Sequence, residues 1–362
     1  MNQLAFPLLV GLIVVALAFD FLNGLHDAAN AIATVVATRL LRPVAAVAFA
    51  GFFNFAAYFL ALQWPALHNV ANTIGKGLID KDLVTPAVVF GALIGAMFWN
   101  VVTWLKGLPS SSSHALIGGI IGAGVAHAGL TGVQWTGLNK TLIAIVLSPT
   151  LGLLVTMLIM LATSWAGVRA SASGAERTLK VLHLCSSGAY CLSHGLNDAQ
   201  KTMGLITVLL YSTGHLSGGF HVPNWVSLSC YIAMGLGTLM GGWRIIETMG
   251  TRITKLSQQQ GFSASLGGSI MLFSSSWLGI PVSTTHTITG CVIGAGAARR
   301  ASAVRWGVAG DVAIAWLITI PASATVAALF YWLISGFVVR VLIILGVITF
   351  VAYSAAAWRV QS

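Results

Sequence analysis

The chain has 362 residues, of which 57% are hydrophobic and only 7% charged, and its mean hydropathy is +0.89. Soluble domains carry about 25% charged residues, so this composition excludes a water-soluble globular fold and implies an all-α polytopic membrane protein. The formal charge of +10 does not point to nucleic acid, because Lys and Arg occur singly or in twos and threes between apolar runs, as in loops facing anionic lipid.

The first apolar run, MNQLAFPLLVGLIVVALAF, has no basic n-region and no small-residue cleavage site, so a retained helix is expected. It belongs to a long segment, 4–38, interrupted by the polar stretch NGLHDAANA (Asn23 to Ala31). Segments near the ~20 apolar residues that span a bilayer follow at 44–63, 84–104, 110–128 and 141–166. The polar stretch 167–180 reads as a cytoplasmic linker. Beyond it come 181–210, interrupted by HGLNDAQKT, then 225–243, 263–279, 283–298, 308–334 and 337–357. This pattern predicts about 10–12 transmembrane segments, with broken or re-entrant helices where polar motifs intrude. Cys185, Cys191, Cys230 and Cys291 show no metal or CxxC spacing and read as small buried hydrophobes.

An internal repeat divides the chain into 1–166 and 181–357. NGLHDAANA matches HGLNDAQKT, with Gly24 and Gly195 separated by 171 residues, and PSSSSHALIGG matches PVSTTHTITGC, with Pro109 and Pro281 separated by 172. Gly118 and Gly122 recur as Gly290 and Gly294, a spacing that lets helices approach closely. Loop charge differs at matching points. Arg39 and Arg42 follow the first acidic motif, while 211–224 has no Lys or Arg; Lys140 alone follows the first hydroxyl block, while Arg299, Arg300 and Arg305 follow the second. Arg169, Arg177 and Lys180 lie in the linker, and Arg244, Arg252 and Lys255 near 244–262. If basic loops are cytoplasmic, the two halves are inverted-topology repeats, a frequent transporter architecture.

Paired interruptions at corresponding places point to a transport site near the midplane. Pro109 and Pro281 suit helix starts. Behind them Ser111, Ser112 and Ser113, and then Ser283, Thr284 and Thr285, combine hydroxyl donors with the free N–H groups of a helix N-terminus, which favours oxyanions. Two such ends facing each other would surround a tetrahedral anion. Asp27 and Asp198 are equivalent acids inside apolar segments, where Asp costs about 2.5 to 3.5 kcal/mol, and are functional candidates by default. They would repel an oxyanion unless a proton or cation arrives with it, which outlines a symporter. Asn30 and Asn197 add amides, and Lys201 is placed to touch the anion or to pair with Asp198 on its own helix face. His26 precedes Asp27, and a His–Asp pair suits proton carriage. His114 and His286 suit helix-start hydrogen bonding as well as substrate contact. Asp20, Glu247 and Asp311 are acids in or near apolar segments to which the pattern assigns no role. An enzyme is not expected: Ser113 and His114 point about 100° apart on a helix, and catalysis leaves the duplicated cluster unexplained. A divalent-cation carrier would leave the hydroxyl clusters idle. Sulfate is disfavoured because a protonated phosphate can donate to a carboxylate whereas sulfate cannot.

These motifs closely resemble the inorganic phosphate transporter (Pit) family, especially its bacterial low-affinity permeases. The resemblance rests on FLNGLHDAANAIATVVATR, SHGLNDAQKTMGLI, WNVVTWLKGLPSSSSHALIGGIIGAG and GIPVSTTHTITGCVIGAG in that order. It implies an inverted-repeat homodimer in the bacterial inner (plasma) membrane that cotransports phosphate with protons or sodium and uses no other cofactor. Carried over by motif position, Asp27, Asn30, Asn197 and Asp198 would face phosphate and the coupling ion, and Ser111–Ser113 and Ser283–Thr285 would hold phosphate oxygens. Sodium-coupled members typically carry Asn–Asp where this chain has His26–Asp27, so proton coupling through His26, Asp27 and Asp198 is expected. A phosphate complexed to a divalent metal is a further expected substrate.

Overall fold

Among the described residues eleven α-helices carry the chain: α1 (Phe6–Ala37), α2 (Pro43–Gln63), α3 (Asn69–Gly77), α4 (Pro86–Leu105), α5 (Ser112–Ala128), α6 (Trp135–Gly167), α7 (Ala172–Ser212), α8 (Asn224–Met240), α9 (Gln258–Leu278), α10 (Thr284–Arg299) and α11 (Trp306–Ser335). The computed structural model describes residues 6–335 apart from 65–66, 68, 79–82, 169–170, 217–218, 243–244 and 247, and contains no β-strand among them. The expected span 337–357 and Glu247 lie outside the described residues.

Local chemistry sets the helix ends. Pro43 and Pro86 stand in the first turns of α2 and α4, where a missing N–H costs no helical bond. Ser257 and Gln260 form a reciprocal capping box at the start of α9, and Gly279 ends that helix in the left-handed region at φ 67°. Among the described residues five helices, α1, α2, α4, α6 and α11, are long and apolar enough to cross a membrane. α5 and α10 have 17 and 16 residues, about 25 Å of helix against a hydrocarbon core of about 30 Å.

Three expectations need correction. The acidic motifs do not interrupt their helices: α1 runs unbroken for 32 residues and α7 for 41, because their polar side chains find partners on neighbouring helices. The breaks fall instead at 106–111 and 279–283, just before the hydroxyl-rich helices. The expected linker 167–180 is mostly helix, since Ser171 caps α7 by accepting from the Gly174 N–H, and Glu176 pairs with Lys180 one turn on at 2.7 Å. Pro109 and Pro281 lie two residues before the N-caps Ser111 and Ser283 and not in the first helical turn.

The repeat is visible in the element order and in the prolines inside α6 and α11, Pro149 and Pro321, 172 residues apart. The equivalent helices α1 and α7 run antiparallel. Asp20 faces Thr202, Asp27 meets His194 and Asp198, Cys191 reaches the Ala31 carbonyl, and Thr34 and Ser187 both bond Ser265. As α1 numbers rise, the α7 numbers opposite them fall.

The halves are not separate bodies. α1 packs on α8 and α7 on α2; α5 packs on α11 and α10 on α6, so each half lends its last described helix to the other. Two lateral bundles result, α4–α5–α11 and α9–α10–α6, beside a central group of α1, α2, α7 and α8. Glycines set the crossings. A Cβ on Gly24 would strike the Met234 carbonyl oxygen, and one on Gly195 that of Asn54; Gly122 abuts the Ala324 backbone and Gly294 that of Leu153. Gly122→Leu therefore drives a side chain into backbone that cannot yield, and the expected result is loss of monodisperse protein in size-exclusion chromatography. Gly11→Ala, at a position with nothing within 4 Å, leaves the elution profile unchanged. Large apolar side chains of α6, including Ile143, Val146, Leu158 and Trp165, are exposed, a surface suited to lipid.

Candidate functional site

α1 projects Asn23, His26, Asp27 and Asn30 from one buried face, and α7 projects His194, Asp198 and Lys201 toward it. The starts of α5 and α10 close the site from two sides. Ser112 donates to Asp27 Oδ2 at 2.8 Å and to Asn23 Oδ1. Its counterpart Thr284 donates to Asp198 Oδ2 at 3.0 Å and approaches Asp27 Oδ2 at 3.4 Å. Thr285 lies 3.4 Å from Asp27 Oδ1, donates to the Ser110 carbonyl at 3.1 Å, and accepts from Asn30 Nδ2 at 2.8 Å. Both hydroxyl clusters thus converge on Asp27, and each half's acid takes a hydroxyl from its own half's broken helix.

On the far side of Asp27, His26 Nδ1 lies 3.0 Å from Oδ1, and His26 Nε2 lies 3.1 Å from Thr103 Oγ1. The Thr103 hydroxyl itself donates to the Trp99 carbonyl at 2.9 Å and accepts from Ser110 Oγ at 2.8 Å. Across the site, Lys201 Nζ donates to Asp198 Oδ1, to Ser113 Oγ and to the Val282 carbonyl oxygen. His194 Nε2 stands 3.4 Å from Asp198 Oδ2, while its Nδ1 lies 3.2 Å from Asn54 Oδ1.

Most of the expected residues are therefore together: His26, Asp27, Asn30, Ser112, Ser113, Asp198, Lys201, Thr284 and Thr285. Ser111 and Ser283 are the N-caps of α5 and α10, their hydroxyl oxygens accepting from the His114 and His286 N–H groups at 3.2 Å. Their side chains hold the helix ends in place. Asn197 departs from expectation. Its Nδ2 donates to Ser275 and Ser276 on α9 at 3.1 and 3.2 Å, away from the carboxylates. Position 197 stands about 100° round the helix from 198 and so serves the flank that His26 serves in the first half. Its Oδ1 and that of Asn30 find no hydrogen-bond partner among the described residues.

His114 and His286 meet edge to face at 4.4 Å between ring centroids, and His286 stacks on Trp316 at 3.8 Å. They pack the two hydroxyl helices against each other, and among the described residues neither hydrogen-bonds to Asp27 or Asp198. Asn23, Thr103, Ser110 and His194 are site residues that the motif reading passed over. Asn23 and His194 each precede their acid by four residues at equivalent repeat positions, a signal that was available. Asp20, two turns before Asp27 on the same face of α1, is fully buried with no hydrogen-bond partner on either oxygen among the described residues, and Asp311 is exposed. One ligand atom each from Asp27, His194 and Asp198 lie within 4.8 Å of one another, a grouping able to hold a cation.

The sequence profile described as "Phosphate transporter family" matches residues 23–327, which include every residue of this site. The chain belongs to the phosphate transporter family. It is 59% identical over 329 residues to the "Probable low-affinity inorganic phosphate transporter" of Rhizobium meliloti (strain 1021), covering 91% of this chain and 97% of that one. A protein of the same description from Bacillus subtilis (strain 168) is 38% identical over 326 residues, covering 90% and 96%. A solved structure described as "The sodium-dependent phosphate transporter" superposes with a TM-score of 0.79 at 25% identity, covering 91% of this chain and 99% of that one. This member of the phosphate transporter family is accordingly a transporter and not an enzyme, an integral protein of the bacterial inner (plasma) membrane.

Proposed function

We propose that the protein imports inorganic phosphate by symport with protons, through the site around Asp27 and Asp198. The observation that carries this reading is the convergence of Ser112, Thr284 and Thr285 on the Asp27 carboxylate. Those hydroxyls are the donors an oxyanion needs; an ionised Asp27 accepts the hydrogen bond of Ser112, while Thr284 donates to Asp198 and Thr285 to the Ser110 carbonyl beside it. A proton on Asp27 removes its demand, frees the Ser112 hydroxyl to turn toward phosphate, and cancels the repulsion between that carboxylate and the anion. Proton and phosphate then bind together for an electrostatic reason. His26 is placed to bring the proton. With Nδ1 donating to Asp27, Nε2 faces a Thr103 oxygen whose own hydrogen is committed to Trp99, so a proton on Nε2 completes that hydrogen bond. Protonated phosphate can also donate to Asp198, which sulfate cannot do.

The antiparallel course of α1 and α7 supports inverted topology for the two halves, and the exposed apolar faces of α6 and α8 leave surface for lipid and for a second copy in a homodimer. A metal–phosphate complex is a second form of substrate, favoured by the grouping of Asp27, His194 and Asp198. Sodium is the alternative coupling ion, in line with the description of the solved relative.

The test is radiolabelled phosphate uptake into proteoliposomes under an imposed pH gradient or an imposed sodium gradient, with excess sulfate as competitor. Inward protons are expected to drive uptake without sodium, and sulfate to leave it unchanged. Uptake that requires sodium would overturn the proton assignment, and added magnesium that raises proton-driven uptake would support the metal–phosphate form.

A further inference from the structure

Lys201 is a buried cation, 2% exposed, whose partners among the described residues are all oxygens: a carboxylate (Asp198), a hydroxyl (Ser113) and a backbone carbonyl (Val282, 3.0 Å). The three come from α7, the start of α5 and the extended residues before α10. This is the kind of oxygen set, with an unwound carbonyl beside a carboxylate, that holds an alkali cation in transporters with broken helices. An ammonium fills it here, tethered by its own side chain.

The repeat makes the substitution readable. The counterpart of Lys201 is Asn30, and the counterpart of Ser113 is Thr285, and Asn30 Nδ2 donates to Thr285 as Lys201 donates to Ser113. Geometry is repeated while charge is not. The first half presents a neutral amide with a free Oδ1, and the second presents a fixed positive charge. Asp27, His194, His114, Asp20 and Tyr190 are the other titratable groups that feel the Lys201–Asp198 pair.

We infer that Lys201 is a built-in counter-cation occupying the second half's coupling-cation position, so that this half binds no sodium and the site needs one fewer external cation per phosphate. The inference deepens the symport reading and rests on it for the meaning of the site. With Lys201 charged, two carboxylates and one ammonium leave one negative charge to be met before an anion enters. Without the ammonium, two negative charges must be met, and the oxygen cage is open to an ion from solution.

The experiment is binding of radiolabelled sodium to purified full-length protein in detergent, by scintillation proximity, for wild type, Lys201→Asn, Lys201→Arg and Lys201→Asn/Asp198→Asn. Saturable sodium binding is expected to appear in Lys201→Asn, to be absent from wild type and Lys201→Arg, and to vanish again in the double variant. Sodium binding to Lys201→Asn no greater than to wild type would overturn the inference. Should Lys201→Asn fail to elute as a monodisperse species, wild type alone decides: saturable sodium binding that Asp198→Asn removes overturns it, and its absence at high sodium supports it. The readout needs no transport, so failure of proton-driven phosphate uptake and failure of the counter-cation assignment are separate results.

Discussion

Asp198→Asn is expected to abolish phosphate uptake, with a loss of roughly 100-fold or more per folded molecule. Asp198 is fully buried and takes Lys201 on one oxygen and Thr284 on the other. Removing one partner of a buried ion pair costs about 3–5 kcal/mol, because the other charge is left uncompensated, and each 1.4 kcal/mol is about tenfold. Part of that cost falls on the fold and part on the site, and a companion separates them. In Asp198→Asn/Lys201→Met neither charge remains, so thermal stability in detergent should recover toward wild type while uptake stays lost. Wild-type uptake by Asp198→Asn would remove this residue from the transport site. Recovery of uptake in the double variant would show that the pair serves the fold alone.

The second large effect is expected from Ser112→Ala combined with Thr284→Val. Hydrogen bonds to charged groups contribute about 1.5–3 kcal/mol, so each hydroxyl is worth roughly tenfold or more in apparent phosphate affinity. The two donors stand at the starts of α5 and α10 and both reach Asp27 Oδ2, so a single anion between them would lose both. The double variant should weaken the apparent affinity by about 100-fold, more than either single change. Thr325→Val, which removes a hydroxyl bonded back to its own helix at Pro321, is the control. An apparent affinity unchanged in the double variant would end the idea that the two hydroxyl helices face one anion.

Much of this site was legible because it occurs twice. A buried Asp is expensive, and two at matching positions mark a shared purpose. Ser112 and Thr284 stood out for the same reason, and both reach the acids. What the repeat could not give was direction around a helix axis. Asn197 and Asp198 are neighbours in the chain, yet one turns to α9 and the other to the hydroxyl helices. Asn23 and His194 lie one turn before their acids, and only packing shows that Ser112 and Asn54 come to meet them. The polar stretch at the start of α7 misled for a different reason. Loops and exposed helix share a composition, and Ser171 with the Glu176–Lys180 pair decides for helix. The exchange of last helices between halves has no signature in one chain, because Gly122 and Gly294 announce a close neighbour without naming it.

That exchange has a mechanical consequence. Each lateral bundle carries one of the two anion-facing helix starts, Ser112 on one and Thr284 on the other, and the chain passes between bundles at only two described crossings, 129–134 and 300–305. Each crossing is six residues, about 20 Å when fully drawn out, and each is already partly wound into a short 3-10 turn. The bundles are leashed to each other twice. Pulling them apart would stretch both leashes at once, whereas turning one about the other stretches neither. The helix starts that carry Ser112 and Thr284 are thus free to turn relative to each other and held against moving apart by the same short tethers that join the halves.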